Sequence, residues 1–290
     1  MPDDRDQETM QLTITRSLRA LAGPGPDATP RRRLAHFACL VSTAVLIAYA
    51  VFLAGDMILH QPKWNGLITL GQDYRLYMRG VDRFLATGSP YLPEQISGAG
   101  YDAYHGDVFL YPPLALLVMV PIRVLPAALW WAIPVGTIAL VVARMRPAWW
   151  SWPLLAACTA WPRTISYLGA GNTDMWVAAF VAAGVMVGWP AALVVLKPSF
   201  GPLMLIGARR RSWWIACAIL VAVSVATWPL TLQYVTVVRT GNTDLGYSVL
   251  GLPVTLIGPI AWLARTTGGG GPSPWIAARG WARARRAATG

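Results

Sequence analysis

Acidic residues and lysines are scarce in this sequence. The chain of 290 residues has 13 Asp and Glu residues in total, two lysines (Lys63 and Lys197), and only 13% charged residues. After Asp107 the only acidic side chains are Asp174 and Asp244. So few charges do not supply the polar surface of a water-soluble domain. The scarcity excludes an ordinary soluble globular protein and draws attention to each acid that remains in the second half of the chain.

Cysteine and histidine are also scarce, with three of each. Each cysteine lies inside an apolar run, which is typical of packing thiols and argues against a disulfide framework or a cysteine-based metal site. The three are Cys39, Cys158 and Cys217. We expect neither a metal nor a cofactor.

Apolar residues and arginine are abundant instead. The chain is 55% apolar, has 15 Trp and carries a formal net charge of +11. The arginines cluster at 31–33, at 144 and 146, at 209–211 and near the C-terminus. Basic clusters beside apolar runs are typical of the cytoplasmic ends of membrane spans, whereas a nucleic-acid-binding chain would carry its charge on a polar surface. We therefore expect a multi-pass protein of the cell membrane that contacts membrane lipids and no nucleic acid.

The charge clusters predict an organisation in three parts. Residues 1–33 are interpreted as a disordered basic tail, residues 34–266 as the transmembrane domain, and residues 267–290 as a Gly/Arg-rich tail, with both tails cytoplasmic. The first span is expected at Leu34 to Leu53, followed by a large extracytoplasmic loop at 55–107 that holds six of the acids. Further spans are expected near Ala127–Val142, Trp152–Leu168, Met175–Gly188, Trp213–Trp228 and Gly251–Leu263.

Successive spans must end on alternate sides of the membrane, and two apolar segments do not fit this alternation. They are "FLYPPLALLVMVPIRVLP" at 109–126 and "WPAALVVLKPSFGPLMLIGA" at 189–208, and both are interrupted by proline. Each must enter and leave the membrane on one side, as a broken or re-entrant segment. Such backbone is tolerated at membrane depth only where protein or a wet cavity satisfies its polar groups. The predicted fold is therefore an all-α polytopic helix bundle with an internal cavity.

The tetrapeptide "GNTD" occurs twice, at 171–174 and at 241–244. The flanking sequences differ, so we interpret the repetition as shared turn chemistry and not as an internal repeat. By the predicted topology both copies lie at the outer ends of spans. An ionisable group at such a place indicates a functional site, because leaving it unpaired in hydrocarbon costs several kcal/mol. We expect the carboxylates to gather in one outward-facing vestibule.

Four motifs in order carry a resemblance to a known family. They are "QDYRLYMRGVDRFLATGSPYLP", the segment at 109–126, "SYLGAGNTDMWVAAF" and "ALVVLKPSFGPLMLIGARRRSW". From about Gly71 to Trp214 this order resembles glycosyltransferase family 87, the polyprenyl-phosphate-mannose-dependent α-mannosyltransferases of the GT-C class. The family usually has Gly-Gln-x-Asn where this chain has Gly171 to Asp174, and it has a longer C-terminal half.

The resemblance implies a GT-C-like fold and a membrane glycosyltransferase. Such an enzyme moves a hexose, here mannose, from a polyprenyl-phosphate donor to a glycolipid or glycan acceptor on the outer side of the membrane, with inversion by direct attack. An alternative is a catalytically silent or transport protein that binds or flips a lipid-linked sugar. A purely structural membrane subunit is a third possibility, and it predicts no shared cavity.

Asp73 is the candidate catalytic residue. The resemblance implies that it deprotonates the acceptor hydroxyl, and a carboxylate in an outer loop suits this general-base role. The alternative is an ordinary helix N-cap, because Asp73 opens a segment in which Tyr77, Gly80 and Phe84 share one face.

Lys197 is the candidate contact to the donor phosphate. It is flanked by apolar residues and followed by Pro198, so it is either a cation facing the phosphate or a snorkelling lysine at a helix end. Arg163 and Arg239 are alternatives for the same contact.

The remaining candidates are polar groups expected to bind substrate. Asn172 and Asp174 are expected to cap a helix and to present polar atoms to the sugar. In "GYDAYHGDVFLYPP" two acids and a histidine could bind sugar hydroxyls or, less favoured by their spacing, a metal. Tyr111 is a further candidate, although its Tyr-Pro-Pro sequence also suits a rigid entry to a helix. The candidates for substrate binding are Tyr77, Asp102, His105, Tyr111, Asn172 and Asp174, with the three cations.

Asp82 has a simpler interpretation. It lies three residues after Arg79 and directly before Arg83. Opposite charges at this spacing pair along one helix face. We therefore expect an exposed pair within a single helix.

The predicted topology can be tested at the large loop. A cysteine substituted for Tyr101 should react with an impermeant thiol reagent in intact cells, because residues 55–107 are expected outside the membrane. Labelling before and after membrane permeabilisation measures this. Protection of the cysteine in intact cells, with labelling only after permeabilisation, would overturn the scheme.

Overall fold

The computed structural model describes residues 29–60, 70–97, 101, 107–241 and 251–265. Asp102, His105, Asp244, most of the predicted N-terminal tail and all of the predicted C-terminal tail lie outside these residues. Within the described part the regular structure is helical; it contains two isolated β-bridges and no strand. The α-helices are α1 Pro30–Leu59, α2 Gln72–Thr87, α3 Pro93–Ile96, α4 Leu116–Arg123, α5 Leu129–Met145, α6 Trp152–Ala160, α7 Pro162–Ala170, α8 Asp174–Val187, α9 Arg211–Ala226, α10 Trp228–Thr240, α11 Leu252–Thr255 and α12 Ile257–Leu263. Short 3₁₀ helices cover Pro113–Ala115 and Trp149–Ser151, and longer ones cover Trp189–Leu196 and Pro198–Gly207.

Helix α1 is long and apolar enough to cross a membrane. Its 30 residues span about 45 Å, and only 6% of its apolar window is buried against the rest of the protein. It begins four residues before the predicted span because Thr29 caps it, accepting a hydrogen bond from the backbone N–H of Arg32 at 3.4 Å, and Pro30 occupies its first position. The prediction of a first helix that is long and apolar enough to span a membrane is confirmed.

Two further candidates for crossing the membrane are bent. Helices α7 and α8 meet at 108°, and α9 and α10 meet at 91°. If each bent pair counts as one span, the described part has up to three candidates. The expected span 152–168 is instead split into α6 and α7 at Trp161, which is extended because Pro162 follows it. Residues 229–240 lie between the expected spans 213–228 and 251–263, yet they are helical and belong to α10.

Both segments expected to be broken are broken. Residues 109–126 form a 3₁₀ turn and the short helix α4, which contains Pro121. Residues 189–208 form two 3₁₀ helices of 8 and 10 residues joined at Lys197, which has φ −125° and ψ 88°. Runs of 3₁₀ helix this long are uncommon and often mark functional hinges or strained sequence.

Helix α8 is the centre of the protein. Nine of its 14 residues are buried, and it packs against α5, α12 and the two long 3₁₀ helices. Small residues allow this close packing: Gly184 lies against Ala191, and Gly258 lies against Ala182. These contacts hold α8 closely against the elements that surround it.

The segment after α1 also packs onto this core. Tyr77 is buried on α2, and Gln95 binds both the backbone N–H and the carbonyl of Phe109, at 3.3 and 3.1 Å. Asp82 pairs with Arg123 of α4 at 2.8 Å, so the expected intrahelical pair was wrong. These contacts hold α2 and the chain leading to Tyr111 against the helix body.

Gly80 of α2 tests this packing. An added Cβ would overlap the ring of Phe109, whereas an added Cβ at Gly136 of α5 meets nothing within 4 Å. We expect Gly80→Ala to lower the free energy of unfolding by about 1–3 kcal/mol through overpacking. Gly136→Ala should leave it unchanged or raise it by up to about 1 kcal/mol through helix propensity.

Thermal unfolding of the two purified variants in detergent measures the difference. Equal unfolding temperatures for the two would show that α2 does not pack on Phe109 as described.

Candidate functional site

The turn between α7 and α8 carries the candidate site. Gly171 caps the C-terminal end of α7 and has φ 74°, a left-handed conformation that glycine adopts without strain. Two indole N–H groups hold this turn: Trp130 donates to the carbonyl of Gly171, and Trp131 donates to the carbonyl of Leu168, each at 2.7 Å. The side chains that follow, at 172–174, are therefore placed by rigid neighbours.

Asn172 joins three groups. Its Oδ1 accepts a hydrogen bond from the backbone N–H of Asp174 at 3.0 Å and lies 3.4 Å from the ammonium of Lys197. Both of these groups are donors, so Oδ1 must face them and the amide nitrogen must face the other way. Nδ2 then donates to Oδ2 of Asp73 at 2.6 Å. Asn172 thus links the first turn of α2 to the start of α8.

Lys197 and Asp174 form a buried ion pair. The ammonium contacts Oδ1 of the carboxylate directly. The Asp174 side chain is fully buried, and that of Lys197 is 12% exposed. Oδ2 of Asp174 has no hydrogen-bond partner among the described residues and packs against Gly251, where a Cβ would overlap it. Burying such charges costs several kcal/mol per ion unless they are paired, which explains why the two meet.

Two tyrosines extend the network. The hydroxyl of Tyr111 lies 2.7 Å from Oγ1 of Thr173 and 3.1 Å from the hydroxyl of Tyr77. A small pocket of about 30 Å³, enough for a water-sized group, lies beside Tyr111, Thr173 and Lys197, and its remaining wall is largely aliphatic and aromatic. The network therefore adjoins a space bounded by Trp130 and Trp176.

Asp73 is not the N-cap of its helix. Gly71 occupies that position, and Asp73 is half-buried in the first turn of α2. Burial raises the pKa of the Asp73 carboxyl above its usual value, and the nearby charge of Asp174 adds to this. The hydrogen bond from Asn172 and the charge of Lys197 lower the same pKa. A carboxylate with increased proton affinity suits general-base chemistry.

The structure therefore joins several of the residues singled out in the sequence. Asp73, Asn172, Asp174 and Lys197 form one hydrogen-bonded group, and Tyr77 and Tyr111 form a second one with Thr173 of the same turn. The two groups meet at the turn at 171–174, while Asp102 and His105 lie outside the described residues.

The two alternative cations lie elsewhere on their helices. Arg163 stands over the ring of Tyr167, with Cζ 6.0 Å from the ring centroid, and Arg239 is exposed in the last turn of α10. Lys197 is the cation that the structure joins to Asn172 and Asp174.

Sequence reasoning missed four residues of this site. Thr173 lies in the GNTD motif but had no role assigned to it, and Trp130, Trp131 and Gly251 carry no motif, because the roles of all four depend on contacts between distant parts of the chain. Among the described residues no group of three or more His, Cys, Asp or Glu side chains could hold a metal ion.

The chain was compared with models of known protein families, with curated proteins and with solved structures, and none of them matches. Its function is therefore argued from the site itself.

The buried ion pair predicts a non-additive response to substitution. Lys197→Met leaves the Asp174 carboxylate buried without its partner and should lower the free energy of unfolding by about 3–5 kcal/mol. The double variant Lys197→Met/Asp174→Leu removes both charges and should recover most of this loss.

Thermal or denaturant unfolding of the purified variants measures both effects. If the double variant is as unstable as the sum of the two single variants, the charges are not paired in the folded protein.

Proposed function

We propose that this protein is a membrane glycosyltransferase. It moves a hexose, mannose by the family resemblance, from a polyprenyl-phosphate donor to a glycolipid or glycan acceptor. The observation that carries the proposal is the single group formed by Asp73, Asn172, Asp174 and Lys197, in which a carboxylate base and a phosphate-binding cation share one amide. The proposed setting is a GT-C-like helix bundle in the cell membrane, with the site facing outward and both termini cytoplasmic.

Asp73 is the proposed base. Asn172 holds its Oδ2, and this leaves Oδ1 to receive the proton of the acceptor hydroxyl. The acceptor oxygen forms a bond to the anomeric carbon while the bond from that carbon to the phosphate oxygen breaks, and the polyprenyl phosphate leaves with the electron pair. The proton passes to Asp73, so the step needs no other reactant.

Lys197 is the proposed phosphate contact. Asp174 neutralises its ammonium in the structure described here, and the side chain keeps 12% exposure. A donor phosphate would share the ammonium with Asp174, because an ammonium has three N–H donors. The ammonium would supply a charge-assisted hydrogen bond to the phosphate both when it is bound and when it leaves. The 3₁₀ helices on either side of Lys197 give the backbone a place to adjust as the phosphate binds.

The tyrosines are proposed to contact the sugar. Tyr111 has a polar tip in the network and a ring at the edge of the small pocket, and the ring of Tyr77 packs against it at 5.1 Å between centroids. A ring with a hydroxyl tip suits a sugar, which presents apolar faces and polar edges.

One observation favours the alternative of a transport protein. Buried Lys–Asp pairs at membrane depth are also found in proton relays and substrate pathways of transporters. Asp174 lies at the start of α8, the second helix of a bent pair, and Lys197 lies between two 3₁₀ helices. Such an arrangement could change shape. A protein of this kind would bind or flip the lipid-linked sugar without needing Asp73 as a base.

Asp73→Asn distinguishes the two functions. Asparagine keeps the size of the side chain and can still accept a hydrogen bond from Asn172, but it cannot take a proton at the acceptor hydroxyl. Transfer of radiolabelled sugar from polyprenyl-phosphate-mannose in membranes should fall by about two to four orders of magnitude, while donor binding is retained. Transfer within a few-fold of the parent protein would remove Asp73 from the chemistry.

The pH dependence of the same assay provides a control. The base is ionised only when the pH exceeds the raised pKa of Asp73. As the pH is lowered, the rate of the parent protein should therefore begin to fall at a pH above the usual aspartate pKa of 3.8. The variant's residual rate should lack that limb. Gly136→Ala, which leaves the site untouched, serves as the matched control for expression and handling.

A further inference from the structure

Three consecutive arginines form an exposed basic turn between the 3₁₀ helix Pro198–Gly207 and α9. They are Arg209, Arg210 and Arg211. In the described part of the chain none of their side chains pairs with an acid. The sequence has no acid nearby, because the closest ones on either side are Asp174 and Asp244. The basic turn therefore carries three positive charges that the described residues do not neutralise.

The position of the basic turn makes these charges unfavourable for the protein by itself. Helix α9 begins at Arg211, and its first turn contains no acid. The N-terminal end of a helix carries a partial positive charge, so the helix repels cations that also repel one another. A local rule that is broken without compensation inside the protein is expected at a functional site. Three cations in this place call for an anion.

The backbone of the basic turn is held in place. The hydroxyl of Ser212 donates to the carbonyl of Val187 at 2.8 Å. The aliphatic stem of Arg210 lies against Gly188, where an added Cβ would overlap it. Because the backbone is already fixed, less conformational entropy is lost when the guanidinium groups bind an anion.

Trp214 lies directly beyond the basic turn. Its ring is 62% exposed, and its N–H donates to the backbone carbonyl of Ala208 at 3.0 Å. An outward-facing indole whose N–H is satisfied is typical of the level at which membrane hydrocarbon meets the lipid headgroups. The basic turn would then lie at the level of the headgroups.

An apolar stripe continues from the basic turn along α9. Ile215 and Ile219 follow Arg211 at intervals of four residues, so they share its face, and both are exposed. The other face of α9, with Trp213 and Leu220, packs against the 3₁₀ helix that precedes Lys197. The order of cation, indole and aliphatic side chains matches the order of headgroup, interface and acyl chain in a phospholipid. A free phosphate ion would not account for the apolar stripe.

We propose that the basic turn binds the headgroup phosphate of an anionic phospholipid, whose acyl chains lie along the apolar stripe of α9. Guanidinium groups suit this ligand because each can donate two parallel hydrogen bonds to phosphate oxygens. By the predicted topology the lipid belongs to the cytoplasmic leaflet. The inference does not depend on sugar transfer, since the basic turn and Lys197 lie at opposite ends of the 3₁₀ helix Pro198–Gly207.

Native mass spectrometry of the full-length protein tests the charge requirement. The detergent micelles contain phosphatidylglycerol and phosphatidylcholine at equal concentration; both lipids have a phosphate, but only phosphatidylglycerol has a net negative charge. The parent should retain phosphatidylglycerol in preference. Arg209→Gln/Arg210→Gln/Arg211→Gln should reduce this preference by about tenfold or more, because each arginine near an anionic surface contributes a factor of about five.

Two further variants serve as controls. The triple lysine variant of the basic turn keeps the charge but loses the paired N–H donors, so its preference should lie between those of the parent and the triple glutamine variant. Arg239→Gln removes an exposed arginine from the last turn of α10, where the helix dipole favours a cation, and it should bind both lipids like the parent. The Arg239→Gln control is compared with Arg210→Gln, which removes one charge from the basic turn.

Photolabelling tests the location. Phosphatidylglycerol with a diazirine in one acyl chain should label the exposed face of α9 in nanodiscs of the parent. The triple glutamine variant should lose this label and keep the label on α1, whose apolar side chains are also exposed. The label on α1 therefore reports that the variant is folded and inserted.

Three results would contradict the proposal. The first is equal retention of phosphatidylglycerol and phosphatidylcholine by the parent. The second is an unchanged preference, or an unchanged label on α9, in the triple glutamine variant. The third is binding of a polyglutamate peptide to the parent that phosphatidylglycerol does not displace, which would assign the basic turn to an acidic protein segment.

Discussion

The contact between Lys197 and Asp174 is the constraint on which the site depends. Two charges taken out of water must find each other with good geometry, or one of them loses its charge or the structure opens. Here the carboxylate is fully buried at the start of α8, and the ammonium reaches it from the joint between two 3₁₀ helices. The irregular backbone around Lys197 is therefore the structural means by which a cation arrives at this depth.

The same pair organises the elements around it. Asn172 accepts from Lys197 and donates to Asp73, so α2 is tied to α8 through one amide. Gly251 allows α11 to approach Asp174 so closely that a side chain there would collide with it. Four parts of the chain that are distant in sequence are thus fixed by one buried polar group, and this explains why a helical protein with so many breaks keeps a defined centre.

Much of the fold and of the candidate site could be predicted from the sequence. The features that could not be predicted share one cause. The rarity of charge identified Asp174 and Lys197, and the prolines identified the broken segments, because both signals are local. The convergence of Asp73 with these residues followed from their expected location. The pairing of Asp82 with Arg123 could not be predicted locally, since its partner lies on another helix. The indole groups of Trp130 and Trp131 were hidden in the same way among 15 tryptophans.

Charge balance in the network suggests an order of events for the proposed reaction. With all three groups ionised, Asp73, Asp174 and Lys197 carry a net charge of −1, and the positive charge of Lys197 lowers the pKa of Asp73. A donor phosphate that binds Lys197 brings further negative charge to the site, which raises the proton affinity of Asp73. The base would thus become stronger once the donor is in place. Asn172 would hold the carboxylate of Asp73 in position throughout. The backbone N–H of Asp174 fixes the orientation of the Asn172 amide independently of Lys197.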